Sequence, residues 1–224
     1  MSRELAPAWL VSGTDTEIGK TLVACALLHR LRERQAGVVG AKPVSAGGDA
    51  QGRNEDVLQL RAASTLAVPA ELDNPYALPE PMSPHAAARR AARSIDLARI
   101  ADAVQRLRER ADAVVVEGVG GFLVPLSMRE DGGDLALRLR LPVILVVGLR
   151  LGCLNHALLT QEAIAARGLR LAGWVANRID ASMLAPQDNL ELLRARLRAP
   201  CLGVVPHLAR ADAVEAARHL QAPP

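Results

Sequence analysis

Short runs of consecutive apolar residues alternate along the chain with longer stretches whose apolar positions recur every three or four residues. Trp9-Leu10-Val11 is a first strand, stopped by Ser12-Gly13. Over residues 19–36, Leu22, Val23, Leu27, Leu28 and Leu31 share one helical face, and Gly37 fits a helix stop. Residues 38–41 form the next strand, closed by Pro43, and helical spacing resumes over 54–63. Residues 69–84 are proline-rich and aperiodic, and are expected to be an ordered loop. Helices are expected around 85–92 and over 96–110, the second carrying Ile100, Val104 and Leu107 at i, i+4 and i+7. Val114-Val115-Val116 is a fully apolar strand ending at Glu117-Gly118, and 135–139 a short helix. Residues 142–147 are an apolar, largely β-branched run of the kind buried on both faces of a sheet. Helix 156–167, strand 173–176, helix 186–198, strand 201–205 and a short helix from about 210 complete the pattern.

Strands alternating with helices predict an α/β fold with a mostly parallel sheet, flanked by helices on both faces and joined by right-handed crossovers. The 224 residues, without linker or repeat, suit one domain over 1–224. Half the residues are apolar, which excludes a disordered chain, and no apolar run approaches the ~20 residues of a membrane span. The first ten residues lack a basic start with an apolar core, so no export signal is expected. Three scattered cysteines, Cys25, Cys153 and Cys201, argue against a disulfide framework or zinc site and for the cytoplasm. A net charge of +3, evenly spread, gives no reason to expect nucleic acid or membrane partners.

One imbalance sharpens the picture. Of 27 basic residues only Lys20 and Lys42 are lysine, and both fall in turns directly after predicted strands. Ligands of such sheets bind beyond the carboxyl ends of the strands, where these turns lie. Gly19-Lys20-Thr21 opens the first helix, and Gly13 to Thr21 reads as a phosphate-binding loop. Backbone N–H groups at a helix start favour an anion, Lys20 can reach terminal phosphates, and the Thr21 hydroxyl can ligate Mg²⁺. The usual spacing asks for glycine at position 14, where this chain has Thr14. A helix merely capped by Thr16 is the plainer alternative. Glu117 ends an apolar strand, where a carboxylate is costly without a cation or hydrogen bonds. It either binds a metal or pairs with an arginine; Asp56 either joins it or caps its own helix. Lys42 is either an exposed strand-end lysine or a second cation in the crevice of Lys20, its turn stiffened by Pro43.

Taken together, these segments resemble the dethiobiotin synthetase family. The resemblance is carried by the loop from Gly13 to Thr21, Lys42-Pro43-Val44, Arg53-Asn54-Glu55-Asp56, Asn74-Pro75-Tyr76 and Glu80-Pro81-Met82-Ser83-Pro84-His85. It continues through Val116-Glu117-Gly118-Val119-Gly120-Gly121, Leu151-Gly152-Cys153-Leu154-Asn155-His156 and Gly173-Trp174-Val175-Ala176-Asn177, in family order over almost the whole chain. It implies a P-loop NTPase-like fold and closure of 7,8-diaminononanoate with CO₂ to dethiobiotin at the expense of ATP. It also implies Mg²⁺ held by Thr21, Asp56 and Glu117, Lys20 on the phosphates, and Lys42 beside carbamate and γ-phosphate. Nucleotide contacts are implied at Thr16, Glu17, Ile18, Gly19, Lys20, Thr21, Leu22, Asp56, Glu117, Gly118, Val119 and Gly120. Asn177, Pro206, His207 and Leu208 are implied around the base. Substrate contacts are implied at Thr16, Lys42, Ser45, Gly152, Cys153 and Asn155, with the tail carboxylate at the start of the 153–167 helix near a homodimer interface.

The chain also departs from the family. Ala46 stands where the family often has a substrate-binding serine, with Ser45 one place earlier; Arg178 replaces an acidic residue and Asn189 a tyrosine. His85 and His156 lack partners at metal-ligand spacing, and Cys153 suits a close turn. A nucleotide-switch ATPase and a ligase for another amine are the rival readings.

Overall fold

The computed structural model describes residues 4–224; the first three, part of the segment read for an export signal, lie outside the described residues. Six parallel strands form the main sheet, β1 (Ala8–Gly13), β2 (Val38–Ala41), β5 (Ala113–Glu117), β6 (Val143–Gly148), β7 (Leu171–Asn177) and β8 (Cys201–Val205), in the order β2-β5-β1-β6-β7-β8. Alternation along the strands sorts the core into two faces. Val11, Val115, Ile144, Val146 and Val175 meet α1 (Lys20–Leu31), α2 (Glu55–Ala63) and α9 (Ala213–Ala217). Leu10, Val114, Val116 and Val143 turn the other way, onto α4 (Pro84–Arg90), α5 (Leu97–Arg110) and α6 (Gly132–Leu139). Farther along that face, Leu145, Val147 and Trp174 meet α7 (Cys153–Ala166) and α8 (Pro186–Arg196). All six β6 residues are buried, as the apolar run predicted.

Helix α1 ends at Leu31, short of the expected Ala36. Gly37 is not its stop; the Gly37 N–H instead donates to the Asp112 carboxylate at 2.8 Å. The aperiodic 69–84 stretch contains α3 (Ala70–Asp73) and β4 (Tyr76–Leu78). Strand β4 pairs in parallel with β3 (Val44–Ala46), a second small sheet that alternation did not reveal. The sheet register sets up the chemistry. Leu10 pairs with Val116 and Val116 with Ala41, so Lys42, one step beyond β2, reaches the level of Glu117, which pairs with Val11. Connections leave β1 and β5 for opposite sides of the sheet, and the site lies at that switch. Among the described residues, no helix is long and apolar enough to cross a membrane.

Candidate active site

A cleft of about 750 Å³ opens at the carboxyl ends of β1, β2 and β5. Its walls include Thr16, Glu17, Gly19, Lys20, Thr21, Leu22, Lys42, Asp56, Glu117, Val119 and Gly120. A larger groove, about 980 Å³, runs between the start of α5 and α6 and contains none of the predicted site residues. The loop after β1 turns into α1 through Gly19, whose φ of 84° is left-handed and suits a residue without Cβ. No side chain caps α1, which excludes the Thr16 cap and leaves the first N–H groups of the helix without side-chain partners.

Lys20 is 7% exposed, and its ammonium donates to the Asp15 carbonyl at 2.7 Å. Burial lowers its pKa to about 8, with the nearby Lys42 charge acting in the same direction and Glu117 opposing. The Asp15 carboxylate accepts the Thr16 N–H and pairs with Arg150, tying the phosphate loop to the segment before α7. Asp15 and Arg150 escaped the sequence reading because nothing in their spacing pairs two loops 135 residues apart.

Lys42 is the centre of the cleft's charge. Its Nζ donates to Asp56 Oδ2 at 2.5 Å and to Glu117 Oε1 at 2.7 Å. Burial disfavours its charge, but the two carboxylates more than offset that and raise its pKa above 10.5. Glu117 is 1% exposed; burial pushes its pKa up against the pull of Lys42. Asp56 is less buried, and Lys42 outweighs its desolvation to hold the carboxyl below the usual range. Neither plain alternative applies: Glu117 pairs with a lysine, and Asn54 caps α2 through Val57 N–H, leaving Asp56 to face the cleft. The Lys42 turn is pinned on both sides. Its N–H donates to the Asp73 carbonyl, and its own carbonyl accepts from Asn74 Nδ2 at 2.6 Å. Buried Asp73, missed in the sequence, is itself clamped by both arms of Arg61 at 2.6 and 2.7 Å.

Thr21 Oγ1 donates to Glu117 Oε1 at 2.9 Å, while Glu117 Oε2 is buried with no hydrogen-bond partner. An unpaired buried carboxylate oxygen calls for a cation. Among the described residues no group of three or more His, Cys, Asp or Glu forms a metal cage. Two carboxylates and a hydroxyl beside a phosphate loop suit Mg²⁺, which keeps waters and takes substrate phosphates as ligands.

Comparison with known proteins decides the kinship. Over 219 residues the chain is 58% identical to a protein of Aromatoleum aromaticum named ATP-dependent dethiobiotin synthetase BioD, covering 96% of this chain and 97% of that one. The namesake from Ralstonia nicotianae is 56% identical over 217 residues, covering 96% and 95%. The chain belongs to the dethiobiotin synthetase family. A family model described as an AAA domain also matches residues 8–215. In fold alone, the chain resembles a ParA family ATPase from Chlorobium tepidum, with TM-score 0.58 at 15% identity, covering 91% of this chain and 85% of that one. That neighbour accords with a P-loop NTPase-like architecture.

Not every position implied by the synthetase resemblance reaches the cleft. Ser45 is buried, with its hydroxyl on Asn74 Oδ1 at 3.3 Å, and Ala46 lines the wall instead. A one-residue offset in a strand turns a side chain to the opposite face. Ile18 is buried, and the Gly118 N–H donates to the Val11 carbonyl. Asn177 ends β7 beside Val205, with Pro206, His207 and Leu208 just beyond β8. Its Nδ2 donates to the Ile18 carbonyl at 2.9 Å, which brings this corner against the helix start. His207 Nδ1 lies 3.2 Å from the Arg178 carbonyl. Gly152 caps α7, Cys153 is buried at its first turn, and Asn155 is exposed there.

Proposed function

We propose that the chain closes 7,8-diaminononanoate with CO₂ into dethiobiotin, converting MgATP to ADP and phosphate, as one step of biotin biosynthesis. The observation that carries this reading is the meeting of Lys20, Lys42, Thr21, Asp56 and Glu117 in one cleft at the start of α1. The names of relatives above 50% identity select the substrate class.

The α1 start and Lys20 take the phosphates. Thr21, Asp56 and Glu117 would hold Mg²⁺, which when bound neutralises phosphate charge. An alkyl amine with a solution pKa near ~10.4 must be neutral to attack CO₂, and the Lys42 charge disfavours a second ammonium beside it. The amine nitrogen bonds to the CO₂ carbon and loses a proton, giving a carbamate. A carbamate oxygen then attacks the γ-phosphorus as the bond to ADP breaks. The neighbouring amine attacks the carbamoyl carbon, phosphate leaves carrying the amine's proton, and the cyclic urea closes. Lys20 and Lys42 act by position and charge, the main demands of phosphoryl transfer, so no protein nucleophile is needed.

Since Asn177 Nδ2 is committed to Ile18, reading an adenine amino group falls to its amide oxygen, with residues 206–208 beside it. The tail carboxylate is assigned to the start of α7, at Gly152, Cys153 and Asn155. Leu151, 94% exposed just before α7, and Leu159, 61% exposed at its middle, support a homodimer through α7. A single domain over 1–224 and a cytoplasmic location complete the proposal. The test is ADP release: it should require both the diamine and bicarbonate. Release without either, or dependent on a macromolecule, would reject the reading.

A further inference from the structure

Lys42 lies among the oxygens assigned to the metal. Its ammonium contacts Asp56 Oδ2 and Glu117 Oε1, and Thr21 Oγ1, the third assigned ligand atom, also donates to Glu117 Oε1. A divalent cation on the unpartnered Glu117 Oε2 would lie beside the ammonium held on Oε1 of the same carboxylate, and such like charges repel strongly where little water enters. Lys42 is 6% exposed and Glu117 1%, so the pairing is shielded from solvent and salt.

From this geometry we infer that Lys42 is the resident counter-ion of the cation site and determines that the metal enters only with the nucleotide. In the ligand-free chain the ammonium neutralises part of the charge on two converging carboxylates. Displacing it without offering another anion would strand a buried positive charge, at a large penalty. The nucleotide supplies that anion. With phosphates in the loop, Lys42 can exchange Asp56 and Glu117 for phosphate or carbamate oxygens while the metal takes the carboxylates. Entry of the metal and delivery of Lys42 to the reacting groups are then one exchange, and free Mg²⁺ is excluded. Lys20 reinforces the exclusion as a second buried ammonium lining the same cleft. The carboxylates acting on Lys42 are thus those of Glu117 and Asp56, with Lys20 a second ammonium nearby, and among the described residues no group of three or more His, Cys, Asp or Glu could hold a metal by itself. This inference rests on the ATP-site reading above.

The test uses the full chain and Mn²⁺ alone as the probe, followed by its electron paramagnetic resonance signal. Wild type should bind Mn²⁺ weakly without nucleotide. Lys42→Met, which keeps the length and removes the charge, should bind it at least roughly tenfold more tightly, the factor that 1.4 kcal/mol of differential affinity supplies. Adding Glu117→Gln to that variant should erase the gain, and Lys42→Arg should keep the exclusion. Equal Mn²⁺ affinity in wild type and Lys42→Met overturns the inference. Both proteins binding MnATP in that case would leave the ATP-site reading standing; failure of wild type to bind MnATP would instead remove that reading.

A second measurement needs no variant. Only two lysines occur in the chain, so ¹⁵N-lysine labelling gives two side-chain ammonium signals. The Lys42 signal should stay in place with Mg²⁺ alone and move when Mg²⁺ is added with a non-hydrolysable ATP analogue. A shift with Mg²⁺ alone, or none with the complex, contradicts the exchange.

Discussion

Gly19→Ala probes the joint between the phosphate loop and the far half of the sheet. Gly19 has a φ of 84°, and a Cβ added there would lie 2.2 Å from Asn177 Nδ2. Left-handed backbone costs a residue with a Cβ roughly 1–2 kcal/mol. Relieving the clash displaces the amide that donates to the Ile18 carbonyl, and leaving such a buried group unsatisfied costs about 1–3 kcal/mol. Together these make the substitution destabilising by about 2–5 kcal/mol, a large part of the ~5–15 kcal/mol that holds a domain. With a urea m-value of about 2–3 kcal/mol/M, the unfolding midpoint should fall by about 0.7–2.5 M. In an Asn177→Ala background the clash partner is absent, so Gly19→Ala should cost only the backbone strain of about 1–2 kcal/mol. The four urea curves form a double-mutant cycle with a coupling of about 1–3 kcal/mol. Equal costs in the two backgrounds would refute the clash and the contact between Asn177 and the helix start.

Four further outcomes are expected. Lys20→Met should abolish binding of an ATP analogue yet raise stability at pH 7 by up to about 3 kcal/mol, since a pKa lowered from 10.5 to about 8 marks the burden of burying the ammonium; calorimetry and urea unfolding read the two effects. For the same reason the unfolded wild type holds a proton between pH 8 and 10.5 that the folded chain has released, so Lys20 adds a rise in stability over that window, which Lys20→Met should lack. Asp56, held below 3.8, contributes stability above that value that is lost as pH falls through its folded pKa; acid unfolding of Asp56→Asn should lack this component. Arg61→Ala leaves Asp73 buried without its clamp, and because the guanidinium is part-exposed the loss should be about 1–3 kcal/mol, with reduced turnover through the Lys42 turn.

The strands of the main sheet and the helices covering it were legible because each announces itself by period. The small β3–β4 sheet was not. Three-residue strands hold too few positions to show alternation, and their partners are set by long-range contacts such as Asn74 on the Lys42 carbonyl. Helix α1 was read too long because Gly37 looked like a stop, while its true role is to donate to Asp112. At the site, the scarcity of lysine singled out Lys20 and Lys42, and an acid ending an apolar strand singled out Glu117. The pairing of Lys42 with Glu117 was hidden, because register between β2 and β5 joins residues 75 apart. Ser45 shows the same limit at finer grain: its identity suggested a ligand, and its position in β3 turns it onto Asn74 while Ala46 takes the wall.

The most direct measurement is mass spectrometry of the product. Purified protein with 7,8-diaminononanoate, MgATP and ¹³C-bicarbonate should yield dethiobiotin one mass unit heavier than with ordinary bicarbonate, and Lys42→Gln should still bind ATP yet form none. No labelled dethiobiotin from the wild type, or undiminished formation by Lys42→Gln, would contradict the account.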